Sequence, residues 1–254
     1  MLTERIHAFR EKITNGPVLG PFSKTEDPAI VEAMGYAGMD FVILDLEHGP
    51  NTVRSLQGLL RAAESADIFP IVRVKENVPS LIGEVLDIGA GGIQVPQITN
   101  ADKAREVIRH AKFAPHGMRG VCRFVRAANY SDMDRFEYFK KANDVLIILQ
   151  IEGEEAIANI DSILEVQGID VIFIGPYDLS QSLGIPGQID HPQVFDRMAG
   201  IIDACKAKGV VVGTFADTVK TVRRWKELDV HYLAYSVDIG ILLEKCKELV
   251  SAVM

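Results

Sequence analysis

The chain has 254 residues, 48% of them hydrophobic, enough to bury a large core. Its 27 Lys and Arg against 35 Asp and Glu leave a formal net charge of −8, which argues against a nucleic-acid partner. No apolar stretch approaches the roughly 20 residues of a membrane span, and the start, MLTERIHAFREK, is too charged for a signal peptide. The three cysteines, Cys122, Cys205 and Cys246, form no CxxC pair, so a cytoplasmic protein with reduced thiols and no membrane contact is expected.

Eight β-rich runs follow one another: PVLGPF near 17, FVILD near 41, IVRV near 71, GGIQVP near 91, VLIILQIE near 145, VIFIG near 171, VVVGTF near 210 and HYLAYS near 231. Helical segments separate them. Asp27-Pro28 supplies a cap and a first-turn proline before AIVEAMGYAG, with Gly35 and Gly38 as stops. Asp190 precedes HPQVFDRMAGIIDACKAKG, which ends on Lys206, Lys208 and Gly209. Strict strand–helix alternation means a parallel sheet, and eight strands in about 250 residues match a (β/α)₈ TIM barrel. An open doubly wound sheet would carry a dinucleotide fingerprint after its first strand, and PVLGPFSKTEDP has no GxGxxG. A single barrel domain over residues 1–254 is therefore expected.

One connection, residues 113–143, is too long for an ordinary helix-to-strand link and holds Arg119, Arg123, Arg126 and Tyr130. It reads as a lid over the barrel mouth, a contact with another subunit, or a solvated excursion with a short helix.

In a parallel barrel, groups at the strands' C-terminal ends face one opening. Glu152 closes VLIILQIE and Asp178 closes VIFIGPYD, one strand–helix unit later, which puts two carboxylates side by side. Two hard oxygen ligands suit Mg²⁺ or Mn²⁺, with Co²⁺ as an alternative, and leave positions for an α-keto acid. The plainer reading is a solvated or salt-bridged pair. His48, three residues beyond Asp45 in DLEHGPN, is placed for a general base, although a loop histidine more often just satisfies hydrogen bonds. Arg73 stands inside IVRVKEN and needs an anion, either a substrate carboxylate or a protein carboxylate such as Glu47. Lys75 is a weaker Schiff-base candidate. The glycines of GAGGIQVP precede their strand and read as turn residues, with Asp87 just before them.

Taken in order, DFVILDLEHGPN, the VR of IVRVKEN, LDIGAGGIQVPQITNADKA, APHGMRGV, LQIEGEEAIANID and GIDVIFIGPYDLSQSLG resemble the HpcH/HpaI aldolase family nearly end to end. The first strand differs, with LGPFSK where many members carry a tryptophan-containing stretch. The resemblance implies a metal-dependent class II aldolase that cleaves a 4-hydroxy-2-oxo acid to pyruvate and an aldehyde. It implies that Glu152 and Asp178 bind the metal, that Arg73 holds the pyruvyl group, and that His48 belongs to a base dyad. The partner of His48 would be Asp45, or Asp87 from a neighbouring subunit, while Gln150, Gly175 and Pro176 would line the pyruvate pocket. It further implies a homo-oligomer, a hexamer built as a trimer of dimers, with the last helix on a partner. A citrate-lyase-like enzyme acting on acyl-CoA thioesters and a non-catalytic keto-acid-binding barrel are the competing readings.

Overall fold

Eight parallel strands close into a barrel in sequence order in the computed structural model, which describes residues 2–254. They are β1 (Val18–Ser23), β2 (Phe41–Asp45), β3 (Phe69–Arg73), β4 (Gly92–Val95), β5 (Leu146–Ile151), β6 (Val171–Ile174), β7 (Val211–Ala216) and β8 (Tyr232–Val237). Each lies on one of the eight expected runs.

Strand alternation sorts every second residue inward. Phe41, Ile43, Phe69, Ile71, Leu146, Ile148, Val171, Phe173 and Tyr232 fill the barrel, whereas Val42, Leu44, Val72, Ile147, Leu149 and Ile172 pack outward under the helices. The same parity carries the polar residues. Asp45 continues the inward set of β2, Arg73 that of β3, Gln94 that of β4, and Gln150 and then Glu152 that of β5. The register places Asp45 opposite Arg73 and Arg73 opposite Gln94, so three polar side chains from adjacent strands form one layer at the C-terminal end.

The opposite end is plugged by a helix, Leu2–Asn15, that buries Ile6, Phe9 and Ile13. The spacing of these residues is that of one helical face. Phe9 stacks on Phe69 with ring centroids 4.2 Å apart and meets Phe41 edge-on at 6.0 Å. Asp27 caps the helix Pro28–Tyr36 as expected, accepting from the Ala29 N–H, and Gly38 leaves it at φ +88°. Gly35 is no stop. It lies inside that helix where it crosses the Ala66 backbone, and a Cβ would come within 2.6 Å of the Ala66 oxygen. The helix Pro192–Lys208 ends on left-handed Gly209 as expected, and His191 caps its start.

The segment 113–143 is not a lid over this barrel's mouth. It joins a helix to the start of β5, so topology assigns it to the end where strands begin. There it forms a short 3₁₀ turn, Arg126–Ser131, and a helix, Arg135–Lys141, over its own cluster of Phe113, Ala128 and Tyr138.

The mouth is held together across the chain's ends by Asp238. Its Oδ2 accepts from Ser23 Oγ at 2.9 Å, from the Lys24 and Thr25 N–H groups at 3.0 Å and from Thr25 Oγ1 at 2.7 Å. Burial raises its pKa, but these donors and the Ile239 N–H outweigh burial and hold it below the ordinary carboxylate value. The resulting stabilisation is complete above the unfolded-state pKa of about 3.9 and is lost as pH falls through the lower folded value. Asp238→Asn should cost about 2 kcal/mol in urea unfolding at neutral pH. The gap from the natural protein should close only in strong acid, and a gap that is constant down to that range would count against this role.

Candidate active site

Arg73 organises the mouth. Its Nε and Nη2 donate to the two oxygens of Asp45 at 2.8 and 2.7 Å, and Nη1 stands 2.9 Å from Glu47 Oε2. The Phe22 ring covers the guanidinium at 4.5 Å. Asp45 has no exposed surface, so a bidentate pair is what makes its burial tolerable. Burial pushes its pKa up, yet Arg73 and the Glu47 and His48 N–H groups prevail and keep it low. Lys24 Nζ adds a second cation at 3.9 Å.

Asp45 is thereby committed to Arg73. It meets His48 only through the backbone N–H, at 3.4 Å. The His48 imidazole is largely exposed and has Glu47 as its nearest carboxylate, with Nε2 to Oε2 at 3.8 Å. Glu47 Oε2 is buried between the Arg73 guanidinium and the His48 imidazole without a well-aligned hydrogen bond from either. Burial raises the pKa of Glu47 against the pull of Arg73, and the charges of Asp45 and Asp178 raise it further.

On the other side of the mouth, Glu152 takes the Gln97 N–H at 2.8 Å on one oxygen and Gln150 Nε2 at 2.5 Å on the other. Gln150 in turn accepts from Gln94 Nε2 at 2.8 Å. This amide relay fixes the Glu152 carboxylate from below. Asp178 occupies the first turn of the helix Pro176–Ser182, whose leading proline follows directly from β6 through Gly175. A side-chain carbon at Gly175 would stand 3.3 Å from Glu152 Oε2 and 3.7 Å from Asp178 Oδ2. Glycine therefore leaves open the position that both carboxylates flank. Burial raises the Glu152 pKa, and the charges of Asp178 and Glu47 add to that rise against Gln150 and the Gln97 N–H.

These oxygens fit a hard dication. Glu152 and Asp178 flank the open position at Gly175, and Glu47 couples electrostatically to both. Among the described residues no three His, Cys, Asp or Glu side chains gather as a metal cage. Mg²⁺-type sites typically take one or two protein carboxylates and fill the rest with substrate and water, which is the number Glu152 and Asp178 supply.

Of the residues expected from sequence, Arg73, Asp45, Gln150, Glu152, Gly175, Pro176 and Asp178 share this end of the barrel, with His48 at its rim. Asp87 does not. It ends the helix Pro79–Asp87 at the opposite end and pairs with Arg119 at 2.5 Å, so it cannot serve His48 within one chain. Lys75 is exposed beyond β3. Sequence reasoning missed Gln94, whose signal was a polar residue in an otherwise apolar strand. It also missed Tyr177, beside Asp178. The Tyr177 hydroxyl donates to Asp217 at 2.8 Å, and burial together with that carboxylate pushes its pKa up to about 12.

A family model described as HpcH/HpaI aldolase/citrate lyase matches residues 19–244. The 2-dehydro-3,6-dideoxy-6-sulfogluconate aldolase of Pseudomonas putida is 36% identical, covering 92% of this chain and 91% of its own. The hydroxypyruvate/pyruvate aldolase of Pseudomonas aeruginosa is 33% identical over 96% of this chain and 91% of its own. The crystal structure of an HpcH/HpaI aldolase/citrate lyase family protein from Burkholderia cenocepacia J2315 superposes with a TM-score of 0.93 at 32% identity, over 97% of this chain and 98% of that one.

Proposed function

The chain belongs to the HpcH/HpaI aldolase/citrate lyase family and is a carbon–carbon lyase, and from that premise we propose that it is a divalent-metal-dependent class II aldolase. It reversibly cleaves a 4-hydroxy-2-oxo acid to pyruvate and an aldehyde. The observation that carries this reading is the pair of oxygens from Glu152 and Asp178 flanking one open position above Gly175, at the same end of the barrel as the Arg73 guanidinium.

A Mg²⁺ or Mn²⁺ bound there would act as a Lewis acid on the 2-keto oxygen and stabilise the enolate released by C3–C4 cleavage. Glu152 and Asp178 are its ligands in this proposal. Arg73 keeps N–H groups on Nη1 and Nη2 that Asp45 and Glu47 do not fully use, and these can receive the substrate carboxylate and the enolate oxygen. Asp45 holds the guanidinium plane so that its outer edge faces the mouth. Gln150 and the Gly175–Pro176 backbone form the floor against which the pyruvyl group lies. His48, largely exposed at the rim, is the group that takes the proton of the C4 hydroxyl in this proposal, with Glu47 as the carboxylate nearest the imidazole in this chain. Asp87 can enter such a site only from a second copy.

A homo-oligomer accords with the last helix, Asp238–Val253, which leaves Ile239, Leu242, Leu243, Leu249 and Val250 exposed. We infer that a partner subunit covers this face, in a hexamer arranged as a trimer of dimers. We further propose a small keto acid and an aldehyde as its ligands and a cytoplasmic setting. No described helix is long and apolar enough to cross a membrane.

The direct test is a panel of aldehydes incubated with pyruvate and Mg²⁺ or Mn²⁺, with and without chelator, read by product mass. The expected result is a 4-hydroxy-2-oxo acid that forms with metal and disappears on chelation. Turnover that survives chelation, with a borohydride-trapped adduct on Lys75, would replace this reading with Schiff-base chemistry. Tight pyruvate binding without any product would favour a binding protein.

A further inference from the structure

Two polar side chains lie deep in the barrel where apolar ones would pack as well. Tyr232 on β8 is completely buried, its ring stacked on Phe41 at 4.2 Å and edge-on to Phe173 at 5.9 Å. Gly213 on the neighbouring strand makes room for that ring, since a Cβ there would come within 2.5 Å of Tyr232 Cδ1. A phenylalanine would fill the same space without the cost of burying a hydroxyl. Gln94, also without exposed surface, stands between Ile93 and Val95 on β4. Tyr232 reaches it across the interior, its hydroxyl donating to Gln94 Oε1 in a long bond of 3.5 Å. Burial holds the tyrosine pKa well above its ordinary value, so the phenol keeps its proton.

The direction of the chain is set from its upper end. Glu152 as a carboxylate can only accept, so Gln150 must turn Nε2 toward it and Oε1 away. That oxygen needs a donor, which makes Gln94 present its Nε2 and turn its own Oε1 down into the core. There the Tyr232 hydroxyl meets it. Tyr232, Gln94 and Gln150 thus all donate in one direction, toward the mouth. Without the lowest donor, Gln94 could reverse and Gln150 follow, and an amide oxygen would then face the Glu152 carboxylate.

We propose that Tyr232 and Gln94 are positioning residues for Glu152, which fix the direction of the Gln150 amide and so set how tightly the mouth holds its divalent cation. This inference rests on Glu152 being a metal ligand, and it adds two residues that touch neither the ion nor the substrate. Removing groups that hold a metal ligand from behind typically costs about tenfold to a hundredfold in metal affinity.

Titration of the full-length protein with Mn²⁺, followed by the paramagnetic resonance of the free ion well below every melting temperature, tests it together with thermal melts of the metal-free protein. Gln94→Met keeps the side-chain volume, removes the amide and should weaken Mn²⁺ binding by about tenfold. Tyr232→Phe should weaken it less, by about threefold to fivefold, as one long bond between neutral groups is lost. The double variant should bind Mn²⁺ no worse than Gln94→Met alone, because the chain is already broken. Tyr232→Phe should lower the melting temperature of the natural protein but raise that of Gln94→Met, in which the hydroxyl has lost its acceptor. Unchanged Mn²⁺ affinity in Gln94→Met with only a lower melting temperature would make the pair structural and overturn the inference, as would additive losses in the double variant. A natural protein that takes no Mn²⁺ would overturn the metal reading of the mouth and this inference with it.

Discussion

Asp178→Asn should lower metal-dependent retro-aldol kcat/KM by about a thousandfold or more, the scale of losing a ligand to the proposed ion. Glu152→Gln should do the same. The fold should not suffer. Asp178 is exposed, but its charge bears on part-buried Glu152 and Glu47, so neutralising it removes a repulsion that a bound dication would otherwise offset. The melting temperature of metal-free Asp178→Asn should therefore equal or exceed that of the natural protein, while the stabilisation gained on adding Mn²⁺ disappears. Asp178 is the cleaner of the two positions, because Glu152 also accepts the Gln97 N–H and the Gln150 amide. A melting temperature several degrees lower together with lost activity would make the carboxylate structural rather than functional.

Arg73→Met should be damaging on two counts. It leaves Asp45, with no exposed surface, and half-buried Glu47 without their main cation, and breaking one side of a buried pair typically costs about 3–5 kcal/mol. It also removes the donor edge proposed for the pyruvyl group, for which a loss of about a hundredfold to a thousandfold in kcat is expected. The two effects separate in a double-mutant cycle. Adding Asp45→Asn to Arg73→Met should restore part of the stability, because the stranded charge is gone, and none of the activity. Simple additivity of the two stability losses would show that the pair is not coupled as its geometry indicates. Arg73→Lys should keep more stability than methionine but cannot span both Asp45 oxygens.

The barrel was legible because its strands are short, β-branched and separated by well-capped helices. The mouth was legible because inward parity carries Asp45, Arg73, Gln150 and Glu152 to one end of their strands. What the sequence could not yield was register. That Asp45 stands opposite Arg73 follows from how β2 slides against β3, and without it Asp45 reads equally well as a partner for His48. Glu47, just past the strand, figured only as a counter-ion for Arg73, yet it also bridges toward the imidazole and couples electrostatically to Asp178. Gln94 was readable as a polar residue between Ile93 and Val95 in a buried strand. Its value emerges only when Gln150 is seen across β4 and β5. The segment 113–143 shows the opposite case. Its arginines invited a lid, although any helix-to-strand connection in this fold belongs to the end where strands begin.

The claim on which the rest depends is that Glu152 and Asp178 grip one dication in the open position above Gly175. Anomalous diffraction from crystals grown with Mn²⁺ and a pyruvate analogue such as oxalate tests it most directly. The account expects a single strong peak within ordinary Mn–O bonding distance of both carboxylates, with the analogue reaching toward Arg73. A peak elsewhere in the barrel, or an analogue bound at the mouth with no metal between these two side chains, would contradict it.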